Sequence, residues 1–165
     1  MRIIGIDPGT GILGFGVIEK KPKRVQMIEA GVIRTKKESP DHVRLLEIYQ
    51  NIEQIIKETQ PSIMSIEKLF FARNVTTAMQ VSQARGVALL AAAKFKLEVF
   101  EYTPLQIKMA LTGYGKAEKK QIQEMVRVIL GLKCIPKPDD CADALAAALT
   151  HEQTLRYNSI DEKIV

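Results

Sequence analysis

Apolar and polar positions follow two different periods along this chain, and each change of period marks an element. Ile3, Ile4 and Ile6 form a short apolar run that ends on Asp7. Pro8-Gly9-Thr10-Gly11 then turns the chain, and Gly14-Phe15-Gly16-Val17-Ile18 resumes it. Apolar runs bounded by turn residues read as buried strands, here over 2–7 and 12–20. Lys20-Lys21-Pro22-Lys23 makes a second turn, and 25–34 is a third strand. Three strands on short links predict an antiparallel meander. The period then lengthens. Ser39-Pro40 predicts a helix start, with Ser as N-cap and Pro at the first helical position. Val43, Leu46, Tyr49, Ile52 and Ile56 follow at spacings of three and four and predict one apolar face. Pro61 ends that helix. Ile63–Glu67 is a fourth strand, and the helical crossover before it predicts that it lies parallel to a neighbour.

Lys68–Asn74 reads as a loop, followed by a long helix over 75–95 rich in small side chains. Its apolar coverage is too broad for one face against a sheet, so part of it meets either deeper layers of the same chain or a second subunit. A fifth strand spans 97–102. Thr103-Pro104 starts a helix that ends at Gly113. A further helix covers 117–130, with Ile122, Met125, Val126 and Ile129 on one face and Gly131 as its stop. Pro136-Lys137-Pro138 leads into the last helix, from Asp139 through Ala-rich sequence to about Tyr157. The order βββ-α-β-α-β-α-α-α describes an α/β fold, a five-stranded mixed sheet flanked by helices. We read 1–158 as a single domain and 159–165 as a loose C-terminal tail.

Composition narrows the classes. The chain has 165 residues, 46% hydrophobic and 26% charged, which suits one domain with a real core. No apolar run approaches the roughly 20 residues of a membrane span, and the N-terminus lacks the pattern of a signal peptide. The expectation is a cytoplasmic protein with no membrane partner. Cys134 and Cys141 are too few for a disulfide scaffold, lack a metal-ligand spacing and read as reduced thiols. A net charge of +5 is compatible with a nucleic-acid partner, but where the two signs sit says more.

Asp7 ends a buried strand, where a carboxylate is costly unless a cation or hydrogen bonds compensate it. The alternative is a turn-forming Asp before Pro-Gly. Glu67 repeats the design at the end of the fourth strand. Asp140 and Asp143, three apart, share a face of the last helix. Complement to the helix dipole accounts for Asp139 and in part for Asp140. Asp143 leads an Ala-Leu-Ala-Ala-Ala-Leu stripe small enough to pack tightly, so it faces the sheet. Carboxylates gathered in one buried place raise one another's pKa. One use of such a cluster is to bind hard divalent cations through oxygen, with Mg²⁺ the usual choice beside phosphate. Two such ions about 3.5–4 Å apart serve phosphodiester hydrolysis. His42 and His151 each stand alone and read as structural.

Arg73, Arg85, Lys108, Lys116, Lys119 and Lys120 flank the Gly113-Tyr114-Gly115 loop and the loop that carries Phe70 and Phe71. Acid in the centre with base around it suits a nuclease, whose rim holds phosphates. A solvated helix face is the plainer reading of Lys120. Phe70 and Phe71 are two of only nine Phe and Tyr residues. One reads as a cover for the core and the other as a ring that stacks on a nucleobase; the residues leave open which is which.

These motifs together resemble the RuvC family of bacterial Holliday-junction resolvases, over essentially the full length. The pieces are Gly5-Ile6-Asp7-Pro8-Gly9, Ile66-Glu67-Lys68-Leu69-Phe70, Gln83-Ala84-Arg85-Gly86-Val87-Ala88, Val99-Phe100-Glu101-Tyr102, Ala117-Glu118-Lys119, and Asp140-Cys141-Ala142-Asp143-Ala144-Leu145-Ala146 through Thr150-His151. The resemblance implies a ribonuclease H-like fold, a homodimer, and Mg²⁺-dependent cutting of two like-polarity strands of a four-way DNA junction in recombination and repair. It implies two ions per active site, with Mn²⁺ as a substitute, and nicks with 5′-phosphate and 3′-hydroxyl ends. It also implies work beside a branch-migration motor of the RuvA and RuvB type. Its catalytic, metal-holding acids fall on Asp7, Glu67, Asp140 and Asp143; the position of Asp143 is a His in some relatives, so a metal ligand and a proton-transfer group both stay open there. Its DNA contacts fall on Phe70, with Phe71 and Arg73 in the same loop, and on Lys108 and Lys119.

Two other classes compete. Sugar-kinase and chaperone-like ATPases also open on a strand, an Asp and a Gly-Thr turn, but they need two such domains, which this length does not supply. A junction-binding module without activity is disfavoured by four carboxylates facing DNA.

Overall fold

A computed structural model describes residues 1–68 and 75–161. The strands β1 (Arg2–Asp7), β2 (Ile12–Lys20), β3 (Val25–Arg34), β4 (Ile63–Glu67) and β5 (Glu98–Tyr102) form one sheet in the order β3-β2-β1-β4-β5. β1, β2 and β3 pair antiparallel, as the short links predict. β4 lies parallel to β1 on one side and to β5 on the other.

Side chains alternate across a strand, and here the alternation sorts two cores. Ile4, Ile6, Leu13, Phe15, Met64 and Ile66 point to one face, where α1 (Asp41–Thr59) and α2 (Val75–Lys94) cover them. Ile3, Ile18 and Ile63 point to the other face, under α3 (Pro104–Thr112), α4 (Lys119–Ile129) and α5 (Asp139–Asp161). Asp7 and Glu67 fall on the same parity as Ile3 and Ile63, so both carboxylates emerge on the α5 side.

A row of small residues crosses the sheet on that side. Gly16 pairs with Gly5, Gly5 with Ser65, and Ser65 with Phe100. α5 lies directly on this row. A Cβ on Gly5 would run into the Ala144 carbonyl, and one on Gly16 into the Leu145 side chain. The Ser65 hydroxyl donates to the Ala147 carbonyl at 2.6 Å. His151 stacks on Phe100 with ring centroids 4.0 Å apart. The Ala stripe of α5 and the glycines of the sheet are therefore one shape-matched contact.

Three expectations need correction. Pro40, not Ser39, is the N-cap of α1, and it makes no side-chain capping bond. The buried face of α1 is Ile48, Ile52, Ile55 and Ile56, whereas Val43 and Leu46 are 42% and 54% exposed. A path of threes falls about 60° short of a turn at each step, so the face traced from Val43 wanders off the buried stripe. Finally, α5 runs to Asp161, so the first residues of the expected tail are helical.

Candidate active site

Two residues further along the strands from the glycine row lies the acidic row. β1 ends on Asp7, paired with Gly14 of β2, and β4 ends on Glu67, paired with Tyr102 of β5. α5 begins above this row. A Cβ on Gly14 would run into the Asp140 backbone, so the missing side chain lets the first turn of α5 settle beside Asp7. Asp143, one turn on, faces the same space.

The four acids feel one another. Burial pushes the Asp7 carboxyl from 3.8 up to about 7, reinforced in order by Asp143, Glu67 and Asp140 and opposed by Lys119. Burial, then Asp143, raises Glu67. Asp143 is also raised, because its burial outweighs the hydrogen bond it takes from Lys119. Asp139 behaves differently. Lys137, at 3.0 Å, holds it below its ordinary value. It is a half-buried helix-start acid, as the dipole argument expects.

Lys119 is the first residue of α4, and the backbone amide of Glu118 before it donates to the Gln121 side chain at 2.8 Å. Its ammonium lies 2.8 Å from Asp143 and 3.7 Å from Asp139. A cation of the chain itself therefore stands inside the acidic group. Among the described residues, no three His, Cys, Asp or Glu converge closely enough to enclose an ion as they stand. Even so, the donor set suits a hard divalent cation. It consists of carboxylate oxygens whose burial and, after it, mutual repulsion raise Asp7 and Glu67, and a dication would relieve both.

A cleft of about 220 Å³ opens beside the acids. Glu67 and Asp143 line it with Lys108 and Lys119, against an apolar wall that includes Ile107 and Ile122. Lys116 and Lys120 are exposed nearby. Phe70, Phe71 and Arg73 lie outside the described residues. Arg85, read from the sequence as part of a basic rim, is instead paired inside the fold. It meets Glu101 at 2.8 Å and donates to the Glu67 carbonyl at 3.4 Å. His151 is buried, accepts or donates at Nδ1 with the Tyr102 hydroxyl at 2.7 Å, and is held below its ordinary pKa by burial. It belongs to the α5–β5 packing rather than to the acidic row. Sequence reasoning missed Ser65 and Glu101. The alternate small positions Gly14, Gly16 and Ser65, facing an Ala-rich helix, were the available signal for the first.

A family model described as "Crossover junction endodeoxyribonuclease RuvC" matches residues 3–151. The chain belongs to the RuvC family. It is an endonuclease that resolves Holliday junctions. The RuvC protein of Desulfitobacterium hafniense strain DCB-2 is 56% identical over 155 residues, covering 94% of each chain. That of Brevibacillus brevis is 51% identical over 99% of each. The structure titled "T. thermophilus RuvC in complex with Holliday junction substrate" aligns at a TM-score of 0.91, 37% identical over 96% of both chains. A yeast mitochondrial Holliday junction resolvase, 14% identical at a TM-score of 0.69, shares the fold. No helix among the described residues is long and apolar enough to cross a membrane.

Proposed function

We propose that this RuvC chain works as a cytoplasmic homodimer and cuts two like-polarity strands of a four-way DNA junction. In this reading Asp7, Glu67, Asp140 and Asp143 hold two Mg²⁺ ions, with Mn²⁺ as a substitute, and the nicks carry 5′-phosphate and 3′-hydroxyl ends. The observation that carries it is the Asp7 carboxyl at about 7, raised by burial and by three other acids from distant parts of the chain. Bound there, divalent cations would lower the pKa of the attacking water and neutralise charge gathering on the phosphate. The chain's own residues supply the rest. Lys108 and Lys119, which line the cleft together with Glu67, take phosphate oxygens and fix the strand's register. Ile107 and Ile122 form a wall that limits competing water. Phe70, with Phe71 and Arg73, contacts the junction from the segment that follows β4 in the chain, and a motor of the RuvA and RuvB type supplies the branch point.

The dimer reading has its own support. Met79 and Leu90 of α2 are each 61% exposed. With exposed Gln83, Gly86 and Ala93, they repeat at spacings of four and three, the pattern of a helix–helix seam. A two-fold enzyme on a nearly two-fold junction places one acidic row at each of two equivalent strands. Leu90→Asp is therefore expected to give monomers in sedimentation velocity and to uncouple the two cuts, so that singly nicked junctions accumulate.

The test of the whole reading compares a synthetic four-way junction with a linear duplex of the same sequence, with Mg²⁺ and after chelation. Cleavage confined to the junction and dependent on the metal is the expected result. Equal cutting of the duplex, or cutting that survives chelation, would overturn it.

A further inference from the structure

The structure assigns Arg85 the role of a positioning residue, which ties the ends of β4 and β5 together from behind the sheet so that Glu67 projects into the cleft. This rests on the reading of Glu67 as a site carboxylate. Glu67 is poorly held by the sheet alone. The β1–β4 ladder stops at Ile6 and Ile66, so Glu67 overhangs it by one residue and is paired only on the β5 side, with Tyr102. The next backbone bond, Lys68 N–H to the Tyr102 carbonyl at 2.8 Å, is the last on this side of the strand among the described residues. A terminal ladder residue supported on one side frays easily.

Arg85 supplies the missing support. It reaches from α2 on the opposite face and spans both strand ends, with Nε to the Glu67 carbonyl at 3.4 Å and a terminal nitrogen to the Glu101 carboxylate at 2.8 Å. The planar guanidinium fork makes the two contacts at fixed relative positions, which an ammonium cannot do. Phe100 and Tyr102 lie on the α5 face, where they meet His151, and strand alternation puts the Glu101 side chain on the α2 face, where it pairs with Arg85. Arg85 thus grips the backbone behind Glu67 while the carboxylate emerges in front. It is screened from the cleft by the sheet itself. What Arg85 controls is geometry.

The experiment pairs Arg85→Met, which keeps the stem and removes the fork, with Arg85→Lys, which keeps a charge for Glu101 but cannot bridge both strands. Junction affinity, single-turnover cleavage and amide hydrogen exchange at Lys68 are measured on the full chain. In Arg85→Met, cleavage is expected to fall at least about tenfold while junction Kd stays within about twofold, since small displacements at a reacting group are costly. Exchange at Lys68 should quicken about tenfold. Arg85→Lys should fall between the two on both measures. Wild-type cleavage and wild-type Lys68 exchange in Arg85→Lys would overturn the assignment, as would an Arg85→Met protein that loses affinity and cleavage in parallel. The exchange measurement reads the strand end without substrate. If the wild-type chain failed to cut junctions, the functional reading would fall and the Arg85 clamp would still stand or fall on Lys68.

Discussion

Asp7→Asn is expected to abolish junction cleavage and, in the metal-free protein at pH 8, to raise the melting temperature. The two effects share one cause. The folded-state pKa of Asp7 is about 7 against 3.8 when unfolded, so the folded form holds the proton more tightly. The stability this contributes is fully present below about pH 4 and is lost as pH rises through about 7. At pH 8 the ionised carboxylate is a burden on the fold. Asn keeps the shape and removes the charge. A shift of this size corresponds to about 4 kcal/mol; shared among four coupled acids, we expect a gain of about 1–3 kcal/mol at pH 8 that vanishes near pH 4. Junction affinity should survive, because little contact area is lost. At limiting Mg²⁺, wild-type cleavage should rise with pH as the proton that competes with the metal for Asp7 leaves, and added Mg²⁺ should move that rise to lower pH. Melting curves from pH 4 to 8 beside a gel-shift titration decide the matter. A lower melting temperature at pH 8 would make Asp7 a turn residue and nothing more.

Gly5→Ala should destabilise the protein by about 3–5 kcal/mol, an overpacking cost at the upper end. At this size that is a fall of about 10 °C in the melting temperature. The added methyl meets backbone on both sides of a helical turn, the Ala144 carbonyl and the Ala148 amide, and backbone cannot rotate aside as a side chain can. Gly5 stands between Gly16 and Ser65 in the row that seats α5, so relief requires lifting the helix off the sheet. Asp140 and Asp143 travel with it, and the folded fraction should also cut more slowly. A change in melting temperature within about 2 °C would show that α5 is not seated as tightly as its contacts imply.

Much of this was legible in one dimension. The strand runs, the breaks at Gly131 and Pro61, and the change of period near Ser39 are local signals, because backbone preference and burial act over a few residues. The helix start at Thr103-Pro104 follows the same logic, and the structure closes it with a capping box between Thr103 and Gln106. The α1 face was misplaced for a physical reason. Apolar residues lie on more than one side of that helix, and only the sheet beneath selects the stripe of Ile48 and Ile52. Arg85 was misread because a basic residue near acids looks the same in sequence whether it meets phosphate or, as here, a glutamate and a carbonyl of its own fold.

From the chain alone came the placement of Asp7 and Glu67 at the ends of two buried strands, the shared face of Asp140 and Asp143, and hence the suspicion of an acidic centre. That much follows from fixed backbone periods. Only the folded molecule decided that α5 comes down on the glycine row, that Lys119 sits against Asp143, and that Arg85 braces Glu67 from the far side. Those facts join residues up to about 140 positions apart. They depend on whether a methyl-sized space is filled or empty where two elements meet, and no local period encodes that.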